Sequence, residues 1–184
     1  MHATEVLMEE HRVIERVLAS LTLLCDRLEE GGEFQPAIFL DAADIMKRFA
    51  DGCHHCKEEG VLFPAMEQSG VARQGGPIGI MLAEHEEGRR LTSAMREAAE
   101  KLVAGDASAK PEVLRHARSY VALLEQHIQK EDSILFPMAD EVMGEEKRRD
   151  LGEAFAIAER EETSDGVCKK YLGKVEALER GAEG

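Results

Sequence analysis

Aromatic residues are scarce in this chain: no Trp, two Tyr and six Phe among 184 residues. Strands draw on aromatic and β-branched residues, and no stretch alternates apolar and polar positions as a half-buried strand would. Cysteine is also sparse. Cys25, Cys53, Cys56 and Cys168 are too few and too scattered for a disulfide scaffold, which points to a cytosolic protein with reduced thiols. No apolar run approaches the roughly 20 residues that span a bilayer. Met1-His2-Ala3-Thr4-Glu5 offers neither the basic nor the apolar region of a signal peptide, so a cytoplasmic location is expected. Basic residues are outnumbered, 23 against 37 acidic, for a net charge of −14 with His neutral. A phosphate backbone needs a basic footprint, so nucleic acid is an unlikely partner. The acidity reads as solvated helix faces.

What is present favours helices. Ala, Leu, Glu, Lys, Arg and Met dominate, with 43% hydrophobic and 33% charged residues. Helix 1 is expected from Thr4 to Glu30, stopped by Gly31-Gly32. Its apolar stripe is Leu7, Ile14, Val17, Leu18, Leu21 and Leu24. Helix 2 starts near Pro36 and runs to about Phe63, where Pro64 and a Gly-rich stretch read as a loop. Helix 3 covers about Ile80 to Val103, and helix 4 runs from Pro111 to about Phe136. The remainder, about Glu145 to Glu179, carries apolar positions Leu151, Phe155, Ile157 and Ala158, then Val167, Tyr171, Leu172, Val175 and Leu178. These suggest further helices that pack on the bundle or on another subunit of a homo-oligomer.

An internal repeat organises the chain. The segment from His54 to Pro64 (HHCKEEGVLFP) matches that from His127 to Pro137 (HIQKEDSILFP) at six of eleven positions, 73 residues later. Glu10-His11 recurs as Glu84-His85 at nearly the same offset. Two αα-hairpins related in this way predict an all-α, antiparallel up-down-up-down four-helix bundle over residues 1–140, with a helical extension over 141–184. Residues i and i+4 share a helix face. His54 with Glu58, and His127 with Glu131, therefore each present an imidazole beside a carboxylate, and His11 and His85 add one imidazole each. Two Glu facing a core demand compensation. Imidazole and carboxylate together suit redox iron or manganese, and six donors exceed one tetrahedral zinc. They suit two metals bridged by both Glu. A ferritin-like site would need Glu-x-x-His, and no His here has Glu three residues before it.

Paired His-x-x-x-Glu segments, each followed by Leu-Phe-Pro, with a lone His early in helices 1 and 3, resemble the hemerythrin-type HHE cation-binding family over roughly Val6 to Met138. The resemblance implies a non-haem di-iron centre with carboxylate and oxo or hydroxo bridges. It assigns His11, His54, His85 and His127 as terminal ligands, with Glu58 and Glu131 as bridges. It implies a ligand such as O2, nitric oxide or peroxide, or else a non-catalytic role in iron or oxygen sensing or iron storage. One departure stands out. Oxygen-carrying hemerythrins have a second His one turn after the first in helix 3, and here that position is Arg89, which leaves the site more open. Asp132 falls where those proteins place the helix 4 carboxylate, but Glu131 matches Glu58 under the repeat.

Other polar residues have ordinary readings. In an α-helix His55 is rotated about 100° from His54, and the repeat puts Ile128 in its place, so it is expected beside the site or exposed. Glu59 has i,i+4 spacing to His55. His116 lies too far from His127 to share its metals. Tyr120 reads as core, Glu15 and Arg89 as salt bridges or supports for the imidazoles, and Cys53 and Cys56 as packing residues. Glu159 and Glu162 are weak candidates for an extra ligand.

Overall fold

The computed structural model describes residues 2–31, 35–162 and 167–183, which form helices joined by turns, with no strand among them. Helix α1 (Ala3–Glu30) ends at Gly31, whose φ of 75° is a left-handed conformation that favours glycine. It starts one residue before the expected Thr4. Thr4 instead lies inside the helix, and its hydroxyl donates to Asp140. Helix α2 (38–68) is continuous but changes register. It is α-helical over Ile38–Ile45, π-helical over Met46–His55 and again over Glu58–Leu62, and α-helical over Phe63–Gln68. Helix α3 (Pro77–Val103) opens on Pro77, and α4 (110–142) contains one π segment, Glu131–Leu135. Helices α5 (Glu145–Glu162) and α6 (Val167–Glu183) follow.

Pro64 does not end α2, against the sequence expectation. A proline in an α-helix crowds the carbonyl four residues back. Here that carbonyl belongs to the π segment Glu58–Leu62, whose i→i+5 register is wider and gives the ring room. Pro137 stands in the same relation to Glu131–Leu135.

Buried apolar side chains form two clusters. One joins Ile14 to Leu28 of α1, Phe39 to Ala50 of α2, Leu91 to Ala99 of α3 and Val113 to Ile128 of α4. The other gathers Leu7, Leu62, Phe63, Met66, Ile78, Met81, Leu135 and Phe136 at the opposite end. Every predicted site residue falls in the layer between them. The last two helices close the ends. Leu151 and Phe155 of α5 join the second cluster, and Tyr171, Val175, Leu178 and Ala182 of α6 join the first. Ile157 and Leu172 are instead exposed or nearly so, and the side chains of Ala158, Glu159, Glu162 and Val167 lie outside the described residues. Arg16 donates twice to Glu179, at 2.7 Å each, and Lys174 reaches Asp44 at 2.6 Å, which ties α6 to α1 and α2.

Candidate metal centre

Four helices cross the polar layer and each delivers side chains to it. His11 comes from α1, His54 and Glu58 from α2, His85 from α3, and His127 and Glu131 from α4. All six are at most 1% exposed. Glu58 spans the layer: Oε1 lies 3.5 Å from His54 Nε2 and Oε2 lies 3.3 Å from His85 Nε2. Glu131 Oε2 sits 3.2 Å from His11 Nε2 and 3.3 Å from His127 Nε2. The Nε2 atoms of His85 and His127 face each other at 3.2 Å. The donor atoms form two groups, each within 4.8 Å: His11, His54, Glu58 and Glu131 in one, and His55, Glu58, His85 and His127 in the other. The six residues singled out in the sequence are thus brought together, and His55 joins them.

His55 corrects the sequence expectation. It is buried, and its ring stacks on that of His85 with centroids 3.8 Å apart. The reason is the π segment Met46–His55. More residues per turn mean less rotation per residue, so consecutive His54 and His55 both turn inward.

Behind the imidazoles stands a ring of carboxylates. Nδ1 of His11 bonds Asp132 at 2.7 Å, that of His54 bonds Glu10 at 3.0 Å, that of His85 bonds Glu59 at 2.8 Å, and that of His127 bonds Glu84 at 2.9 Å. An Nδ1–H donated to a carboxylate leaves the Nε2 lone pair aimed inward, the tautomer a metal ligand needs. Each carboxylate is itself held by a cation: Glu10 by Lys57, Glu84 by Lys130, Asp132 by Arg12, and Glu59 by Arg89 at 2.6 Å. Asp132 therefore supports His11 from behind while Glu131 occupies the interior. Glu59 supports His85 rather than His55. Phe136 stacks on His11 and Phe63 on His85, which closes the layer on its apolar side. His116 stays outside, beside Glu112, and Glu15 pairs with Arg12 at the surface.

Electrostatics show what the layer lacks. Burial opposes the charge of Glu58, but His54 and His85 outweigh it and hold the carboxyl well below its usual range. Burial likewise opposes charge on His11, yet Asp132 and Glu131 push it up to about 9; Glu58 and Glu59 do the same for His85. The same carboxylates that raise these two imidazoles would be compensated by a metal cation between them. The hydrogen bonding remains incomplete. Of nine buried side-chain polar atoms without a hydrogen-bond partner among the described residues, eight belong to His11, His54, His55, Glu58 and Glu131. Buried polar atoms are ordinarily paired, and a cluster left unpaired around one point marks the place of a ligand. The imidazole and carboxylate donors fit divalent iron, manganese or zinc.

A model of the hemerythrin HHE cation-binding domain matches residues 2–139. The chain belongs to the hemerythrin HHE family. An uncharacterized protein of Mycobacterium tuberculosis is 28% identical over 178 residues, which is 97% of this chain and 69% of that protein. A Mycobacterium bovis counterpart matches to the same extent. A protein of Edwardsiella ictaluri named iron-sulfur cluster repair protein YtfE is 28% identical over 127 residues, 66% of this chain and 57% of that one. No solved structure matches.

Against the hemerythrin pattern, Arg89 does stand where a helix 3 imidazole is missing. It donates to Asp51 at 2.7 Å and to Glu59 at 2.6 Å, so it grips two carboxylates beside the site. His55 from α2, not a second helix 3 imidazole, joins His85 in its donor group. Cys53 is disulfide-bonded, against the expectation of reduced thiols, whereas Cys25 is a buried free thiol. No helix among the described residues is long and apolar enough to cross a membrane.

Proposed function

We propose that this hemerythrin-family chain is a non-haem di-iron protein that binds or reacts with O2, nitric oxide or peroxide. His11, His54, His85 and His127 would be terminal ligands and Glu58 and Glu131 the bridges. The reading is carried by the two donor groups sharing Glu58, whose carboxylate faces a histidine of each. Two cations side by side would use both of its oxygens. Iron, when bound, supplies redox electrons and Lewis acidity. The chain's own part is to fix the imidazoles through their carboxylates, to exclude water with Phe63 and Phe136, and to hold Glu58 as an anion. We further read residues 1–140 as the up-down-up-down bundle bearing the centre and 141–184 as its extension.

A second reading, a non-catalytic module that senses, stores or donates iron, draws on the Edwardsiella relative named for iron-sulfur cluster repair. Metal analysis after purification from iron-supplemented medium tests the shared premise. About two irons per chain, lost in His54→Ala and Glu131→Ala, is the expected result. Near-ultraviolet absorption of the oxidised protein identifies ferric iron, since zinc is silent. No bound metal together with unchanged stability in both variants would reject the site. Repeated turnover of added peroxide or nitric oxide separates the reactive protein from the sensor or store, which would give a single stoichiometric change.

A further inference from the structure

Four of the five imidazoles in the polar layer are locked from behind, at 2.7–3.0 Å from a carboxylate. His55 is not. Its Nδ1 stands 3.6 Å from Asp51, beyond hydrogen-bonding distance, and neither ring nitrogen has a hydrogen-bond partner among the described residues. Asp51 is turned to Arg89 instead. The repeat supplies an internal control. Ile128, the counterpart of His55, is equally buried at 3% exposure but packs in the first apolar cluster. An isoleucine there leaves nothing unpaired, whereas a buried imidazole with two idle nitrogens costs free energy unless something accepts its lone pair.

On the far side of His55 lies a cavity of about 270 Å³, lined in part by Asp51, Arg89, Thr92, Arg96 and Tyr120. His55 is the only member of either donor group that lines it. Lys47, Arg89 and Arg96 outnumber Asp51 among its charged wall residues even though Arg89 also bonds Asp51 and Glu59, and that surplus suits a small anionic ligand.

We infer that His55 is a fifth imidazole donor to the cation held by Glu58, His85 and His127, and that, as the loosely held one, it is displaced by a small anion entering from the cavity. The inference rests on the di-iron reading above. It makes the two cations inequivalent, three imidazoles against two, through a residue the repeat does not duplicate. In the exchange the anion takes the coordination position and the imidazole withdraws toward Asp51, and no electron is transferred.

Proton NMR of the iron(II)-loaded protein tests the first half. Rings bonded to a paramagnetic ion are shifted far outside the ordinary range, so five shifted histidine rings are expected in the wild type and four in His55→Gln. Azide titration tests the second half. With the competing imidazole gone, His55→Gln should bind azide about tenfold more tightly. Two irons per chain with only four shifted rings in the wild type would overturn this inference and leave the di-iron reading intact. A wild type that takes up no iron would overturn both. Unchanged azide affinity in a variant that still holds two irons would overturn the displacement. The wild-type ring count is decisive even if the variant folds poorly.

Discussion

The two halves of the bundle solve one problem with the same parts and then diverge at one turn. In both, a Glu-His pair on a long helix meets a His-x-x-x-Glu segment on the next. Glu10 of α1 backs His54 of α2, and Glu84 of α3 backs His127 of α4. The return links cross between halves: Asp132 of α4 backs His11 of α1, and Glu59 of α2 backs His85 of α3. Phe136 and Phe63 stack on the same two imidazoles. No half is therefore complete alone. Each imidazole of a long helix is oriented by the opposite hairpin, so the polar layer forms only when both hairpins dock. The divergence is backbone. The first half is π-helical over Met46–His55 as well as Glu58–Leu62, and the second only over Glu131–Leu135. The duplicated parts give a symmetric donor set, and the extra π stretch adds His55 to one side.

The equivalent lysines test how far the equivalence extends. Lys57 is 1% exposed and pairs with Glu10, itself 8% exposed. Burial raises the pKa of Glu10, but His54 and Lys57 outweigh it and keep the carboxyl low. Lys57→Met leaves that buried carboxylate with His54 alone and removes its cation, which costs about 3–5 kcal/mol. For a chain of this size each kcal/mol lowers Tm by about 2–4 °C, so thermal unfolding of the metal-free protein should begin roughly 10 °C lower. Adding Glu10→Gln should restore much of the loss. A drop of only a degree or two in the single variant would mean that the first half tolerates an unpaired Glu10 and that burial does not distinguish the lysines.

A smaller effect is expected from the cross-link between halves. Asp132→Asn keeps the shape of the group that bonds His11 but removes its charge, leaving Glu131 untouched. Such partners behind a ligand typically govern metal affinity by 10–100-fold. Competition with a chelator should show iron bound in that range more weakly, with about two ions still taken up at saturation. Complete loss of one ion would instead make Asp132 a ligand, as its position five residues after His127 first suggested.

Much of this was legible in the residues. The repeat placed six donors on four helices because ligand spacing within a helix is local and periodic. Gly31 marked the end of helix 1 for an equally local reason, whereas Pro77, read as part of a loop, opens α3 three residues before the expected Ile80. Three things were hidden. Pro64 read as the start of a loop, and helix 4 was expected to end at about Phe136, because the widened turn that accommodates each following proline is not written in any single residue. His55 was rotated out of the site on paper by assuming the α-helical 100° per residue, and the π stretch removes that assumption. Glu10, Glu59 and Glu84 were visible only as neighbours in sequence. Their partners lie on other helices, and pairing between helices has no period to read. The recurrence of Glu-His and of Lys three residues after each motif histidine was the available signal.

Lys130 provides the weakest and most discriminating comparison. It occupies the place of Lys57 under the repeat and likewise pairs with its Glu, here Glu84. Its side chain is 36% exposed, however, and that of Glu84 is 18% exposed. Water can solvate both groups once the pair is broken, and half-exposed pairs contribute only about 0.2–1 kcal/mol. Hydrogen bonding to His127 lowers the pKa of Glu84 more than Lys130 does, as His54 does for Glu10, so exposure and not the imidazole separates the two pairs. Lys130→Met should therefore shift Tm by no more than about 4 °C, and the shift should shrink in high salt. An effect as large as that of Lys57→Met would show that the energetics follow the repeat. The expected gap shows instead that they follow burial, with the same residue strongly or weakly stabilising according to the water around it.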